Sequence, residues 1–317
     1  MRAFVTGANG FVGTHVVRAL LAKGTEVRAL VREVSDLRNL QGLDVELVYG
    51  DLRDGERLAP LLRGCDELYH VAALYSTRPE DGPLMYEVNV QGTKHILRAA
   101  LANGVRHVVH TSTIGTIGRP ADGSLPTEAT PFNLWDTASD YVKSKYLGEQ
   151  AALAMAQEGL PVVVVHPTAP VGAYDLKPTS TGQRIVDYLH GKLPSFAPGG
   201  INHCAVRDVA QGHLLAARRG RVGERYILGH AAGNLQLADF VALMAEISGI
   251  RVPLPRMPLR SRLRSLWRRA GETGHRPLAL TCDPTKAIRE LGLPQTPLRA
   301  AFAEAVAWFI EHGYVRG

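Results

Sequence analysis

A doubly wound α/β architecture, a parallel sheet covered by helices on both faces, is the fold class that this chain of 317 residues predicts. Three observations lead there. Short apolar runs alternate with helix-spaced apolar residues through the first half, as in a parallel sheet whose crossovers are helices. Gly7, Gly10 and Gly13 of TGANGFVG fall three apart, between the first strand and the first helix. LPVVVVHP, at 160–167, is apolar at nearly every position, as a strand buried on both faces must be.

Each element follows from its own residues. RAFVT (2–6), EVRALV (26–31), DVELVYG (44–50), ELYHVAA (67–73) and RHVVHTS (106–112) read as strands, and Pro167 ends the one at 160–167. FVGTHVVRALLAKG (11–24) has helical spacing and stops at Gly24, a suitable C-cap. GERLAPLLRG reads as a short helix, 83–103 as a long one, and 137–158 as another capped by Asp136 or Thr137. Beyond 170 the rhythm loosens, with helices expected at 208–219, 236–249, 283–291 and 297–313, and RYILG (225–229) as one more strand of the main sheet. The expected organisation is a dinucleotide-binding unit at 1–170, to which segments near 200–230 return. A smaller substrate lobe is expected mainly over 171–317.

Composition narrows the function classes. Hydrophobic residues make up 45% and charged residues 21%, an ordinary globular balance. Cys65, Cys204 and Cys282 are odd in number and far apart, which predicts neither a disulfide framework nor a zinc site. No apolar run reaches the roughly 20 residues of a membrane span. The N-terminus lacks the cleavage pattern of a signal peptide, so a cytoplasmic protein is expected. The net charge of +6 is local: residues 251–276 hold eight Arg against one Glu. That argues against a nucleic-acid surface spread over the protein. Within this stretch, 258–271 places Leu259, Leu263, Leu266 and Trp267 on one helical face among arginines. Such a face either caps the substrate lobe or makes peripheral contact with an anionic membrane.

The glycine loop carries a specific physics. One Gly permits a tight turn, one lets the backbone approach a pyrophosphate, and one lets helix and sheet pack closely. The helix N-terminus then offers free N–H groups and a positive dipole end to the phosphates. Gly7, Asn9, Gly10, Phe11 and Val12 are therefore expected against a dinucleotide. At the end of the second strand, where an acid would bind the NAD ribose, the chain has Arg32. An arginine there favours NADP, with NAD the alternative if Glu33 is the ribose ligand. Asp51 and Leu52 of GDL are expected near the adenine.

SDYVKSKYLGEQ, at 139–150, sets Tyr141 and Lys145 four residues apart, on one helix face. Alone, such a pair is more often a packed Tyr beside a solvated Lys than a catalytic one. The glycine loop, YHVAA, NVQGT, HTST and YVKSK occur in this order, and together they resemble the extended short-chain dehydrogenase/reductase superfamily, of the NAD-dependent epimerase/dehydratase type. VHPTAPVGAYDLKPTSTGQRIVDYLHGKLP and GERYILG resemble its hopanoid-associated sugar epimerase and dihydroflavonol reductase-like branch.

The resemblance implies a Rossmann-type fold, an NAD(P) cofactor and a small-molecule substrate. It implies that Tyr141 and Lys145 are the catalytic Tyr-x-x-x-Lys pair and Thr113 the catalytic hydroxyl. Ala72 and Ala73 would line the cofactor's path, and Pro167 and Thr168 would back the nicotinamide. Asn89, Lys177, Arg184 and Arg207 are the substrate-side candidates, facing a sugar nucleotide or an isoprenoid or polycyclic ketone. Asp208 matches a position of structural role, and a homodimer remains open.

The chemistry expected is hydride transfer at a carbinol or carbonyl carbon with a proton moved by Tyr141. A nearby Lys⁺ is expected to bring the phenol toward the working range. Of Ser112 and Thr113, only one should face the substrate, because neighbours on a strand alternate. His70, His110 and His166 read as packed rather than catalytic. Ile114 and Gly115 follow Thr113 where sugar-nucleotide 4,6-dehydratases carry an Asp-Glu pair, so dehydration is not expected. Net reduction, epimerisation on a retained cofactor, and a non-catalytic cofactor sensor remain as readings.

Overall fold

A computed structural model of the chain describes residues 1–254 and 279–315. Seven parallel strands form the main sheet: β1 (Arg2–Thr6), β2 (Glu26–Val31), β3 (Glu46–Tyr49), β4 (Glu67–His70), β5 (His107–Thr111), β6 (Val162–Pro167) and β9 (Arg225–Leu228). Their order is β3-β2-β1-β4-β5-β6-β9, so the winding reverses between β1 and β4. In doubly wound sheets the crevice at that reversal, beyond the carboxyl ends of the strands, is where ligands bind.

The helices cover the sheet on two faces. On one, α1 (Phe11–Leu21) and α7 (Val206–Arg219) pack through Val16, Leu20, Val209 and Ala216, joined by Leu291 of a π-helical turn at Ala287–Leu291. On the other, α2 (Gly55–Leu61), α4 (Thr93–Ala102) and α5 (Asp140–Gln157) bury Leu58, Ile96, Leu97, Ala152 and Met155. Strands β4 and β6 carry only buried residues, which is the price of being sandwiched between two helical layers.

A second, three-stranded sheet was not expected. It joins β7 (Ala169–Val171), β8 (Ile201–Ala205) and β10 (Asn234–Leu235) in the order β10-β8-β7. Around it, α6 (Ser180–Leu189), α8 (Leu237–Ser248) and α9 (Leu298–Glu311) enclose a core rich in aromatic residues, among them Tyr188, Phe240, Phe302 and Phe309. Both α7 and β9 return from this region to the main sheet.

Two boundaries differ from expectation. The helix bearing Tyr141 begins at Asp140, not near 137, and its cap is Ser139, whose Oγ accepts from Val142 N at 3.4 Å. Thr137 is spent in a turn, donating to the Leu134 carbonyl at 3.2 Å. The long helix expected at 83–103 is in three pieces: α3 (Gly82–Tyr86), a π-helical stretch Glu87–Gly92, and α4. The amphipathic stretch at 258–271 lies outside the described residues.

Candidate active site

The glycine loop is built for close approach. Gly7 has φ +67°, and a Cβ there would lie 2.7 Å from both Cα and N of Ala72, across the crevice between β1 and β4. A Cβ on Gly13 would lie 1.9 Å from the Gly7 carbonyl oxygen, so the first turn of α1 fits only without a side chain there. Gly10 caps α1 with extended backbone and no capping side chain, and no acid stands in the first turn. The N–H groups and dipole of this helix start therefore face the crevice uncompensated, which suits a pyrophosphate.

Neighbouring groups hold the loop in place. Asn9 Nδ2 donates to the Asp36 carbonyl at 3.1 Å, and Asn39 Nδ2 donates back to the Asn9 carbonyl at 3.1 Å. Phe11 and Val12 are half-buried at the start of α1. Arg32 follows β2 directly and is exposed, its N–H donating to Ser35 Oγ at 3.0 Å. Arg38, by contrast, is paired with Asp36. The Asp51 carboxylate is engaged by Arg53 through side chain and backbone, which holds it below the usual carboxylate range. Leu52 is buried. Ala72 is half-buried and Ala73 exposed just beyond β4, while Pro167 and Thr168 are buried where β6 ends.

His70 locks the floor of this crevice. Thr93 Oγ1 gives its one proton to the Asn89 carbonyl at 2.7 Å, so it accepts from His70 Nε2 at 2.9 Å. His70 Nδ1 then accepts from Thr6 Oγ1 at 2.8 Å, and Thr6 Oγ1 accepts from Ala72 N at 3.2 Å. Burial pushes His70 down to about 3, so it is a neutral strut and not an acid or base. His110 is buried and has no partner on either ring nitrogen among the described residues.

Tyr141 and Lys145 project from α5 toward the ends of β4 and β5. The Tyr141 ring meets Tyr75 edge-on, with centroids 4.9 Å apart and planes at 86°. Tyr75 Oη in turn lies 3.1 Å from Ser180 Oγ, so the second lobe reaches the site through α6. Lys145 is buried and its Nζ donates to the Thr111 carbonyl at 2.6 Å. Burial lowers it to about 8, against the pull of Glu149.

Thr113 and Ser112 separate as alternation requires. Thr113 is half-buried, its hydroxyl accepting from Gly115 N at 3.3 Å and acting on the nearby Tyr141 phenol, while Ser112 turns inward and donates to Glu149 at 2.6 Å. The phenol itself departs from expectation. Burial, reinforced by Tyr75, pushes Tyr141 up to about 12, and only the Thr113 hydroxyl works the other way. The Lys145 ammonium is directed at the Thr111 carbonyl.

Three of the four substrate-side candidates, Asn89, Arg184 and Arg207, already have protein partners. Asn89 uses both N–H groups of its amide: Oδ1 accepts from Leu74 N at 2.7 Å, while Nδ2 donates to the Leu74 carbonyl at 2.9 Å and to Ser144 Oγ at 3.0 Å. It pins the loop after β4 to α5, and its amide has no N–H left for a substrate. The π-helical stretch that carries it lets α5 come so close that a Cβ on Gly148 would sit 2.4 Å from the Asn89 carbonyl. Arg184 donates to the Ser195 and Ser180 carbonyls at 2.9 and 3.0 Å. Arg207 pairs with Glu304 at 3.4 Å. Lys177 is exposed on the loop before α6. Asp208 is buried and accepts from Thr296 N and Oγ1 at 2.6 and 2.8 Å, a tie between α7 and the chain ahead of α9.

One residue at the site was missed by sequence reasoning. Glu149 is fully buried one turn below Lys145, ringed by Ser112, Thr116, His166 and Arg225. The signal was present, since Tyr141, Lys145 and Glu149 recur at intervals of four along one helix face. The three cysteines are free and buried, and no cluster of metal-ligating side chains occurs among the described residues. Among the same residues, no helix is long and apolar enough to cross a membrane.

Comparison with known proteins bears on the family and the fold. The model of the family described as NAD dependent epimerase/dehydratase matches residues 3–229. A Synechocystis protein named as a dihydroflavonol 4-reductase is 41% identical over 99% of this chain and 96% of its own length. Sterol demethylase protein B of Methylococcus capsulatus is 37% identical over 99% of this chain and all of its own. The crystal structure of PA4631, a nucleoside-diphosphate-sugar epimerase from Pseudomonas aeruginosa, superposes with a TM-score of 0.82 at 27% identity, over 100% of this chain and 99% of that one. The chain belongs to the NAD dependent epimerase/dehydratase family, within the extended short-chain dehydrogenases/reductases, and is an enzyme that uses an NAD(P)-type cofactor.

Proposed function

We propose that the enzyme is an NADP(H)-dependent reductase of a hydrophobic ketone, of isoprenoid or polycyclic type, with Tyr141 as proton donor, Thr113 as the hydroxyl that positions the substrate oxygen, and Lys145 as the supporting cation. The observation that carries this reading is Lys145, buried on the same helix face as Tyr141 with its ammonium anchored to the end of β5, just before Thr113.

Bound in the crevice, NADP(H) supplies the hydride. The glycine loop and the start of α1 would hold its pyrophosphate, and exposed Arg32 its ribose phosphate. Tyr141 gives its proton to the carbonyl oxygen as the carbon takes the hydride, so ketone becomes alcohol. A phenol pushed up to about 12 is protonated at neutral pH, the form that reduction requires. Thr113 holds the oxygen within reach of the phenol, and Lys145 stabilises the negative charge left on Tyr141. Tyr75, packed on Tyr141 and tied to Ser180, screens that proton from water.

Two observations favour an apolar substrate over a sugar nucleotide. Arg184 and Arg207, two of the three cations suited to a diphosphate, already have protein partners. The curated relatives above carry flavonol and sterol names. A second reading, epimerisation of a sugar nucleotide on retained NAD, draws on the likeness to PA4631. Mass spectrometry of the purified, denatured protein separates the two. Stoichiometric NAD released only on denaturation supports epimerisation, whereas exchangeable NADP(H) with turnover of a hydrophobic ketone supports reduction.

A further inference from the structure

Buried carboxylates are rare because an ion loses its water unless other groups replace it. Glu149 has no exposed surface. Its Oε2 is met by Ser112 Oγ at 2.6 Å, Thr116 Oγ1 at 2.7 Å and His166 Nε2 at 3.0 Å, and its Oε1 by an Arg225 guanidinium nitrogen at 3.3 Å. These donors come from the end of β5, the turn after it, β6 and β9. The chain thus spends four side chains from separate elements to keep one carboxylate ionised inside the protein.

Lys145, one helical turn away on the same face, is the group that feels this charge. It is buried, and it is surrounded by neutral or positive partners. His70 on β4 and His110 on β5 are both kept neutral by burial, and Tyr141 on its own helix is a protonated phenol. Glu149 is the anion that acts on Lys145.

We infer that Glu149 is a positioning residue for the reaction, setting the charge of Lys145 from one turn below the site. The inference rests on the assignment of Lys145 to the proton-transfer site. Without the carboxylate, the buried ammonium would give up its proton at lower pH, and a smaller share of the protein would carry the supporting cation at neutral pH. Arg225 competes for the same carboxylate, so it tempers this hold.

The titration of Lys145 is read directly by NMR on protein labelled in lysine, with its signal assigned by loss in Lys145→Met. In Glu149→Gln the midpoint should fall by about one pH unit or more, because the opposite charge one helical turn away has gone. In Glu149→Asp it should stay near the native midpoint. In Arg225→Gln it should rise, and that variant provides the reading on its own if Glu149→Gln does not fold. The pH profile of kcat should move with the midpoint in each variant. An unmoved midpoint in Glu149→Gln, or in Arg225→Gln where the former does not fold, overturns the inference and leaves Glu149 as a brace for Ser112 and Thr116. Because the titration needs no substrate, a shifted midpoint in a protein that turns over no ketone would remove the reductase reading and not this one.

Discussion

Lys145 Nζ donates to the carbonyl oxygen of Thr111 at 2.6 Å, two residues before Thr113. The ammonium of α5 is thereby anchored to the end of β5, and helix and strand deliver the three proposed catalytic groups as one unit. The first consequences are for catalysis.

Tyr141→Phe removes the proton donor and leaves the ring packed against Tyr75. It should lower kcat about a thousandfold with little change in NADPH affinity. Thr113→Ala should cost roughly a hundredfold in kcat/KM, as does loss of one oxyanion partner. Stopped-flow kinetics with fluorescence titration of NADPH checks both, and an equal loss of affinity in either variant would assign that residue to cofactor binding.

Arg32 is exposed at the end of β2, where a ribose phosphate is expected. Arg32→Ala should weaken NADPH binding roughly tenfold to a hundredfold, the range of a hydrogen bond to a charged group, and leave NADH binding unchanged. Equal weakening of both dinucleotides would place the ribose phosphate elsewhere.

Gly13→Ala forces a Cβ to within 1.9 Å of the Gly7 carbonyl oxygen, so the loop must open. The expected cost is on the order of 3 kcal/mol, with loss of dinucleotide binding, as for overpacking against fixed backbone. Gly24→Ala, where a Cβ would meet nothing within 4 Å but φ is +69°, should cost only about 1 kcal/mol and spare binding. Thermal unfolding with and without NADPH compares them.

Stability should depend on pH through Lys145. Burial lowers it to about 8, from an ordinary 10.5. Between those values the unfolded chain keeps a proton that the folded chain has released, so stability rises with pH across this window. Lys145→Met lacks this rise. Urea denaturation of both proteins at pH 8 and pH 10 shows it as a widening gap in favour of the native chain, and parallel pH dependences would contradict it.

The main sheet was legible because its strands are near-continuous apolar runs and its glycines fall at spacings that only one turn explains. The proposed catalytic trio could be named from the sequence because Thr113 was expected just past a strand and Tyr141 and Lys145 fall on one helix face. The start of α5 was misread by several residues, since Thr137 and Ser139 are both competent caps and only tertiary packing chooses Ser139. The second sheet was hidden because β7 and β10 have three and two residues, too short for periodicity. Asn89 was named from the likeness of NVQGT, and its bonds to Leu74 and Ser144 were not legible because they join segments apart in sequence. Glu149 was passed over because an acid in a polar helix reads as solvated until its burial is seen.

The most direct test of the account is NADPH consumption at 340 nm over a panel of hydrophobic ketones, with native protein and Tyr141→Phe side by side. The account predicts turnover by the native enzyme, a fall of about a thousandfold in the variant, and equal NADPH affinity in both. A variant as fast as the native enzyme would show that Tyr141 is not the proton donor, and the site would have to be sought elsewhere.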